Sequence, residues 1–144
     1  MSENSPKPSR FVELAGLVIA VIGALMLIGG IGTWTMVQTE LAAEQITVTE
    51  DAATNAGKVV NGPFTAYSQA EVIKEHSLKA SGGKTYAQLD REDPKRATVM
   101  NGSFLRASLF TSVLAFGVSA MAIGLGIVQI LGGLALRKLA LART

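Results

Sequence analysis

The chain has 144 residues, 49% hydrophobic and 17% charged, with a formal net charge of +2. That length allows one domain, and a mean hydropathy of +0.36 excludes a disordered chain. With no cysteine and one histidine, a disulfide scaffold, a thiol nucleophile, a cysteine-ligated metal and a multi-histidine metal centre are excluded.

Residues 1–10, MSENSPKPSR, are polar, carry Pro6 and Pro8, and read as a tail. From Leu14 to Val37 no residue is charged. About 20 apolar residues suffice for a helix to cross a bilayer core of about 30 Å, so this block predicts a transmembrane helix. The run Thr39-Glu40-Leu41-Ala42-Ala43-Glu44-Gln45 holds good helix formers and no breaker. It extends the helix, predicted over 11–45, beyond the membrane. The apolar run exceeds a signal-peptide core, so the segment is expected to stay uncleaved.

A loop region, 46–93, follows. Ile46-Thr47-Val48-Thr49 alternates with β-branched residues and predicts a short extended segment. Asn61-Gly62-Pro63 marks a turn. Ser68 and Glu71 have capping-box spacing and predict a helix start at Ser68. That helix should run to about Lys79 and end at Ser81-Gly82-Gly83.

Asp93-Pro94 predicts the start of a second long helix, from Pro94 to about Arg137. Its stretch from Ala107 to Leu136 has no charge, and no proline interrupts it. At about 1.5 Å per residue it is roughly twice as long as the hydrocarbon is thick. Residues 138–144 form the second tail. The fold class expected is all-α: an antiparallel two-helix transmembrane hairpin with a small, mainly helical extracytoplasmic loop domain. So short a loop domain should lean on the helix stubs or on a partner.

Lys7, Arg10, Arg137, Lys138 and Arg143 flank the apolar blocks on the tail side, whereas Gln38 to Asp51 contains no lysine or arginine. The positive-inside rule therefore places both tails in the cytoplasm and the loop outside an inner membrane. Arg91, Lys95, Arg96 and Arg106 run against that bias, but long loops translocate largely regardless of charge. Trp34 fits an aromatic anchor at the outer interface.

Gly16, Gly23 and Gly30 are spaced seven apart, as are Ser112, Ser119, Gly126 and Gly133. A seven-residue step returns to nearly one face of a left-handed helix pair, and small residues let helix backbones approach in lipid. These positions predict the seam of the hairpin. Gly16, Ala20 and Ala24 make a small-xxx-small face able to take a second chain. Gln129 is the one strongly polar residue deep in either helix and is expected to bond across it.

Chemical motifs are thin. Gly83-Lys84-Thr85 ends like a phosphate-binding loop, but Leu78 stands where the motif's first glycine belongs, and a helix precedes it. The simpler reading is a glycine helix cap with a solvated lysine, and no nucleotide is expected. His76 beside Glu75 lacks histidine or cysteine co-ligands, so no metal is expected. Asp90-Arg91-Glu92-Asp93 reads as a solvated helix start. Asn101-Gly102-Ser103 is a glycosylation sequon too near the membrane to use. No spacing argues for a Ser-His-Asp or paired-carboxylate site. Phe64, Tyr67 and Tyr86 are candidates for a small apolar ligand site in the loop domain, or for its core.

Five blocks, at 61–67 (NGPFTAY), 80–86 (ASGGKTY), 89–94 (LDREDP), 96–101 (RATVMN) and 103–109 (SFLRASL), resemble a family of small two-span actinobacterial membrane proteins. The resemblance covers most of the chain from the first helix onward. Such sequences often carry the label aromatic ring-opening dioxygenase, after the small subunit of a protocatechuate-cleaving enzyme. Extradiol cleavage uses iron on two histidines and one carboxylate. A chain with one histidine offers at most a non-catalytic subunit, and no catalytic residue is carried over.

The expected function is therefore non-enzymatic, without cofactor: a structural or accessory component of a membrane assembly. Its expected partners are the lipid bilayer and a membrane protein or a second copy, not nucleic acid. The alternative is an extracytoplasmic ligand-binding or sensing module.

Overall fold

In chain order the computed structural model, which describes residues 10–142, holds three α-helices. They are α1 (Arg10–Ala43), α2 (Pro63–Ser81) and α3 (Arg96–Leu141), with a 3₁₀ turn at Tyr86–Gln88 between the last two. The tail features at Lys7 and Arg143 lie outside the described residues. Among the described residues there is no strand, only one antiparallel bridge between Thr47 and Val59.

Helix α1 has 34 residues and α3 has 46, about 50 and 70 Å at the usual rise. Both are long and apolar enough to cross a membrane. Glu13 sits in the first turn of α1, where negative charge suits the unsatisfied amides. The helix ends two residues before the predicted Gln45. That residue is left-handed, with φ 54°, and its N–H closes the last turn on Ala42 O at 3.1 Å.

Helix α2 begins at Pro63, five residues before the predicted Ser68, so the expected capping box is not formed. Proline stands at its first turn after an extended Gly62, where a missing N–H costs nothing. Thr65 Oγ1 accepts from the N–H groups of Asn61 and Gly62, each at 3.2 Å. At the other end Gly82 turns left-handed, with φ 71°. The N–H groups of Gly82 and Gly83 reach back to Lys79 O and Leu78 O at 3.3 and 2.7 Å. The Gly-Lys-Thr run is thus a helix cap.

Helix α3 starts two residues later than predicted. Asp93 Oδ1 accepts from the Lys95 N–H at 2.8 Å and Asp93 O accepts from Arg96 at 3.0 Å, so residues 93–95 form a turn before the helix proper. It then continues past Arg137 to Leu141.

Two compact units emerge. One combines the described residues up to Thr33 with those from Val118 onward. The other is Trp34–Gly117 and contains the predicted loop region, 46–93. Its core is Leu41, Val48, Val60, Ala66, Ala70, Leu109 and Phe116, with Trp34, Ile46, Ile73, Phe110 and Val113 packed against them. The alternation in Ile46-Thr47-Val48 is used here. Val60 N–H donates to Ile46 O at 2.8 Å and Val48 N–H to Lys58 O at 2.9 Å, which turns Val48 and Val60 inward. Trp34 lies edge-on to Phe116, ring centroids 4.7 Å apart. Phe116 is only 1% exposed. Trp34, expected as an interface anchor, is therefore partly a core residue. Leu41 comes from α1, and Leu109 and Phe116 from α3, so this unit rests on helix stubs as well as on its loop.

Candidate functional site

In the first unit α1 and α3 meet through their smallest residues. A methyl built on Gly16 would lie 2.6 Å from Gly133 O; on Gly23, 2.7 Å from Gly126 O; on Gly30, 2.9 Å from Ser119 O. Each step of seven along α1 matches a step of seven backward along α3, so the pair is antiparallel. Side chains at these places would strike backbone, which is why the contact demands glycine.

The remaining seam candidates divide. Ala20 faces Gly133, its N 2.7 Å from a methyl placed there. Gly16 and Ala20 are thus used within the hairpin and do not make a free face for a second chain. Ala24 is half-buried. Gln129 packs its Cβ 2.8 Å from a methyl on Gly23. Among the described residues its side chain makes no hydrogen bond, contrary to the expectation of a bond across the helices. Ser112 belongs to the second unit, in a groove with Met36, Val37, Glu40 and Leu41. Its hydroxyl donates to Ser108 O in its own helix at 3.3 Å.

The three aromatic candidates of the second unit do not come together. Phe64 is 80% exposed, Tyr67 lies edge-on to Phe110 at 5.8 Å, and Tyr86 lies under the Arg96 guanidinium at 4.0 Å. Phe64 lies on the outward side of the first turn of α2, whose inward side is the buried Ala66. Tyr67 instead joins a chain of contacts that sequence reasoning missed. Arg106 stands 5.1 Å over the Phe110 ring and pairs with Glu71 at 3.4 Å, and Glu71 also pairs with Lys74 at 3.4 Å. Arg106, a cation against the positive-inside bias, is thereby given a role in holding α2 to α3. Beside this chain Lys74, Ser77, Thr85, Tyr86, Ser103 and Arg106 line part of an open groove of about 270 Å³. Gly102 also lines it, and Ser77 Oγ occupies the space a side chain there would need.

Two further polar contacts fasten the loop to α2. Ser68, buried in mid-helix, shares a hydrogen bond with Thr54 Oγ1 at 2.8 Å, accepts from Asn55 Nδ2 at 3.0 Å and donates to Phe64 O at 3.0 Å. His76 Nε2 donates to Asp51 Oδ2 at 2.6 Å. That hydrogen bond, aided by Thr49, holds the exposed Asp51 carboxyl below its ordinary value of 3.8. Among the described residues no three histidine, aspartate or glutamate side chains gather as metal ligands. No family model matches the chain, and neither a curated protein nor a solved structure is significantly similar to it.

Proposed function

We propose that this chain is a two-span integral membrane protein that acts without catalysis, as an accessory component of a membrane assembly. The observation that carries the reading is the inverted packing of its first unit. Glycines are buried between the helices, whereas Leu25, Ile28, Val128 and Leu131 are each more than 60% exposed. Of the most apolar window of each long helix only 17% is buried, unlike the core helix of a water-soluble domain. An apolar surface of that extent is unfavourable in water and is satisfied by lipid. Small residues inside and large apolar residues outside is the arrangement in which membrane helices associate.

On this reading both chain ends are cytoplasmic and the loop-bearing unit is extracytoplasmic, because Arg10, Arg137 and Lys138 flank one end of the apolar spans. The resemblance to small two-span actinobacterial proteins agrees with it. The dioxygenase label attached to such sequences finds no iron triad here, since the chain has a single histidine. The partner is a membrane protein, reached through the exposed apolar faces of α1 and α3.

Mild-detergent extraction of the tagged protein, followed by native-size analysis and identification of co-migrating chains, tests this. A defined larger complex is expected. A monomer that cross-links to nothing overturns the accessory role. It would favour the second reading, an extracytoplasmic binding module, which the open groove lined by Lys74, Tyr86, Val99 and Arg106 supports.

A further inference from the structure

The charged end of the first unit has features that helix packing does not use. Arg137 lies across α1 at Gly16: a methyl on Gly16 would stand 2.9 Å from Arg137 Cγ and 3.1 Å from its N. The arginine stem therefore runs over bare backbone, which fixes its direction. Its Nε is shut away from solvent and has no hydrogen-bond partner. Beyond it opens a cavity of about 300 Å³ lined by Arg10, Glu13, Leu14, Leu17 and Arg137. Glu13 lines this cavity, yet among the described residues it pairs with neither arginine. Two guanidinium groups and one carboxylate leave the cavity positive.

We propose that this cavity binds a phosphate group, held by Arg137 and Arg10. Arg137 from α3 and Arg10 from α1 both line the open cavity, where a phosphate oxygen supplies the acceptor that charged N–H donors need. The planar fork of arginine suits a tetrahedral oxyanion, which offers two oxygens side by side. The remaining wall is apolar. Leu14 and Leu17 are exposed and give the carbon substituent of a phosphate ester a surface to lie on. Basic pockets between membrane helices on the cytoplasmic side are suited to anionic headgroups. The phosphate can come from an anionic phospholipid or from solution. Only the lipid source rests on the membrane reading proposed above.

The test uses the full chain in a sugar-headed, phosphate-free detergent. One arm adds phosphatidylglycerol, with phosphatidylcholine as the zwitterionic comparison, and counts retained lipid by native mass spectrometry. The other adds inorganic phosphate and follows the thermal unfolding midpoint. Wild type is expected to retain phosphatidylglycerol over phosphatidylcholine, or to be stabilised by inorganic phosphate. Arg137→Gln and Arg10→Gln are each expected to weaken that binding about tenfold or more, the loss of one charge-assisted hydrogen bond. Lys138→Gln, which removes a charge outside the cavity, is expected to leave it unchanged. Should Arg137→Gln fail to fold, Arg10→Gln, an exposed residue at the first position of α1, decides alone.

Lipid retention without a phosphate effect identifies a headgroup site; a phosphate effect with the same variant dependence identifies a free-anion site. Equal loss in Lys138→Gln, or no response to either probe, overturns the proposal. Release of the chain from membranes by an alkaline wash would remove the membrane reading alone, and the phosphate arm would still decide the cavity.

Discussion

Substituting Gly23 by alanine tests the helix seam with a single methyl. That methyl would stand 2.7 Å from Gly126 O, 2.8 Å from Gln129 Cβ and 2.9 Å from Ile130 N, against the 3.4 Å at which ordinary contact begins. Two of the three obstacles are backbone, so no rotamer change relieves them. The helices must separate locally, with loss of neighbouring contacts whose attraction falls steeply with distance. Overpacking of this kind costs about 1–3 kcal/mol. Gly29 is the matched control on the same helix, because a methyl there meets nothing within 4 Å. Alanine at position 29 should be neutral or stabilising by up to about 1 kcal/mol, through backbone entropy alone. Equilibrium unfolding in mixed micelles, followed by circular dichroism, should separate the two variants by about 1–4 kcal/mol. Equal stability of Gly23→Ala and Gly29→Ala would refute the close approach of α1 and α3.

Other perturbations probe the second unit. Gly102→Ala should destabilise it by about 1–3 kcal/mol, because Ser77 Oγ occupies the space of the new methyl. Adding Ser77→Ala should restore most of the loss, and additive effects in that double-mutant cycle would show that the two sites are not in contact. Ser68→Ala should cost about 1–3 kcal/mol by stranding Thr54 and Asn55, with faster limited proteolysis between 50 and 57; an unchanged cleavage rate would contradict that anchoring role. Asp51, held below 3.8 by its His76 hydrogen bond, contributes stability above the ordinary carboxylate range and loses it as pH falls through the lowered value. Carboxyl NMR titration should show the Asp51 midpoint rise toward 3.8 in His76→Ala, and an unmoved midpoint would dissociate the pair.

Features set by composition or by local chain chemistry were legible in the sequence. Both long helices follow from uncharged apolar runs, the end of α2 from Gly82, and the seam from glycines repeating every seven residues. What could not be read depends on contacts distant in sequence. Ser68 has the spacing of a capping residue, but its partners Thr54 and Asn55 lie 14 and 13 residues away and the helix had already begun at Pro63. Phe64, Tyr67 and Tyr86 are all aromatic, yet Phe64 and Tyr67 are exposed while Tyr86, in the 3₁₀ turn, meets Arg96 of α3, a difference that no local pattern specifies. The Glu71–Arg106 pair joins residues 35 apart, beyond any local pattern. Gln129 failed for a different reason: its polarity predicted a hydrogen bond, whereas its Cβ does the packing.

The seven-residue spacing also makes the seam degenerate. Sliding α3 by one repeat, about 10 Å, would set Gly16 opposite Gly126, Gly23 opposite Ser119 and Gly30 opposite Ser112, again small against small. A repeat cannot choose its own alignment, just as a zip with identical teeth can be started one tooth off. The tie is broken by something that does not repeat. Arg137 against Gly16 is such a mark, because the slide would bring Ile130 to that place instead. The arginine stem, unlike the glycines, distinguishes one of several near-equivalent alignments from the rest.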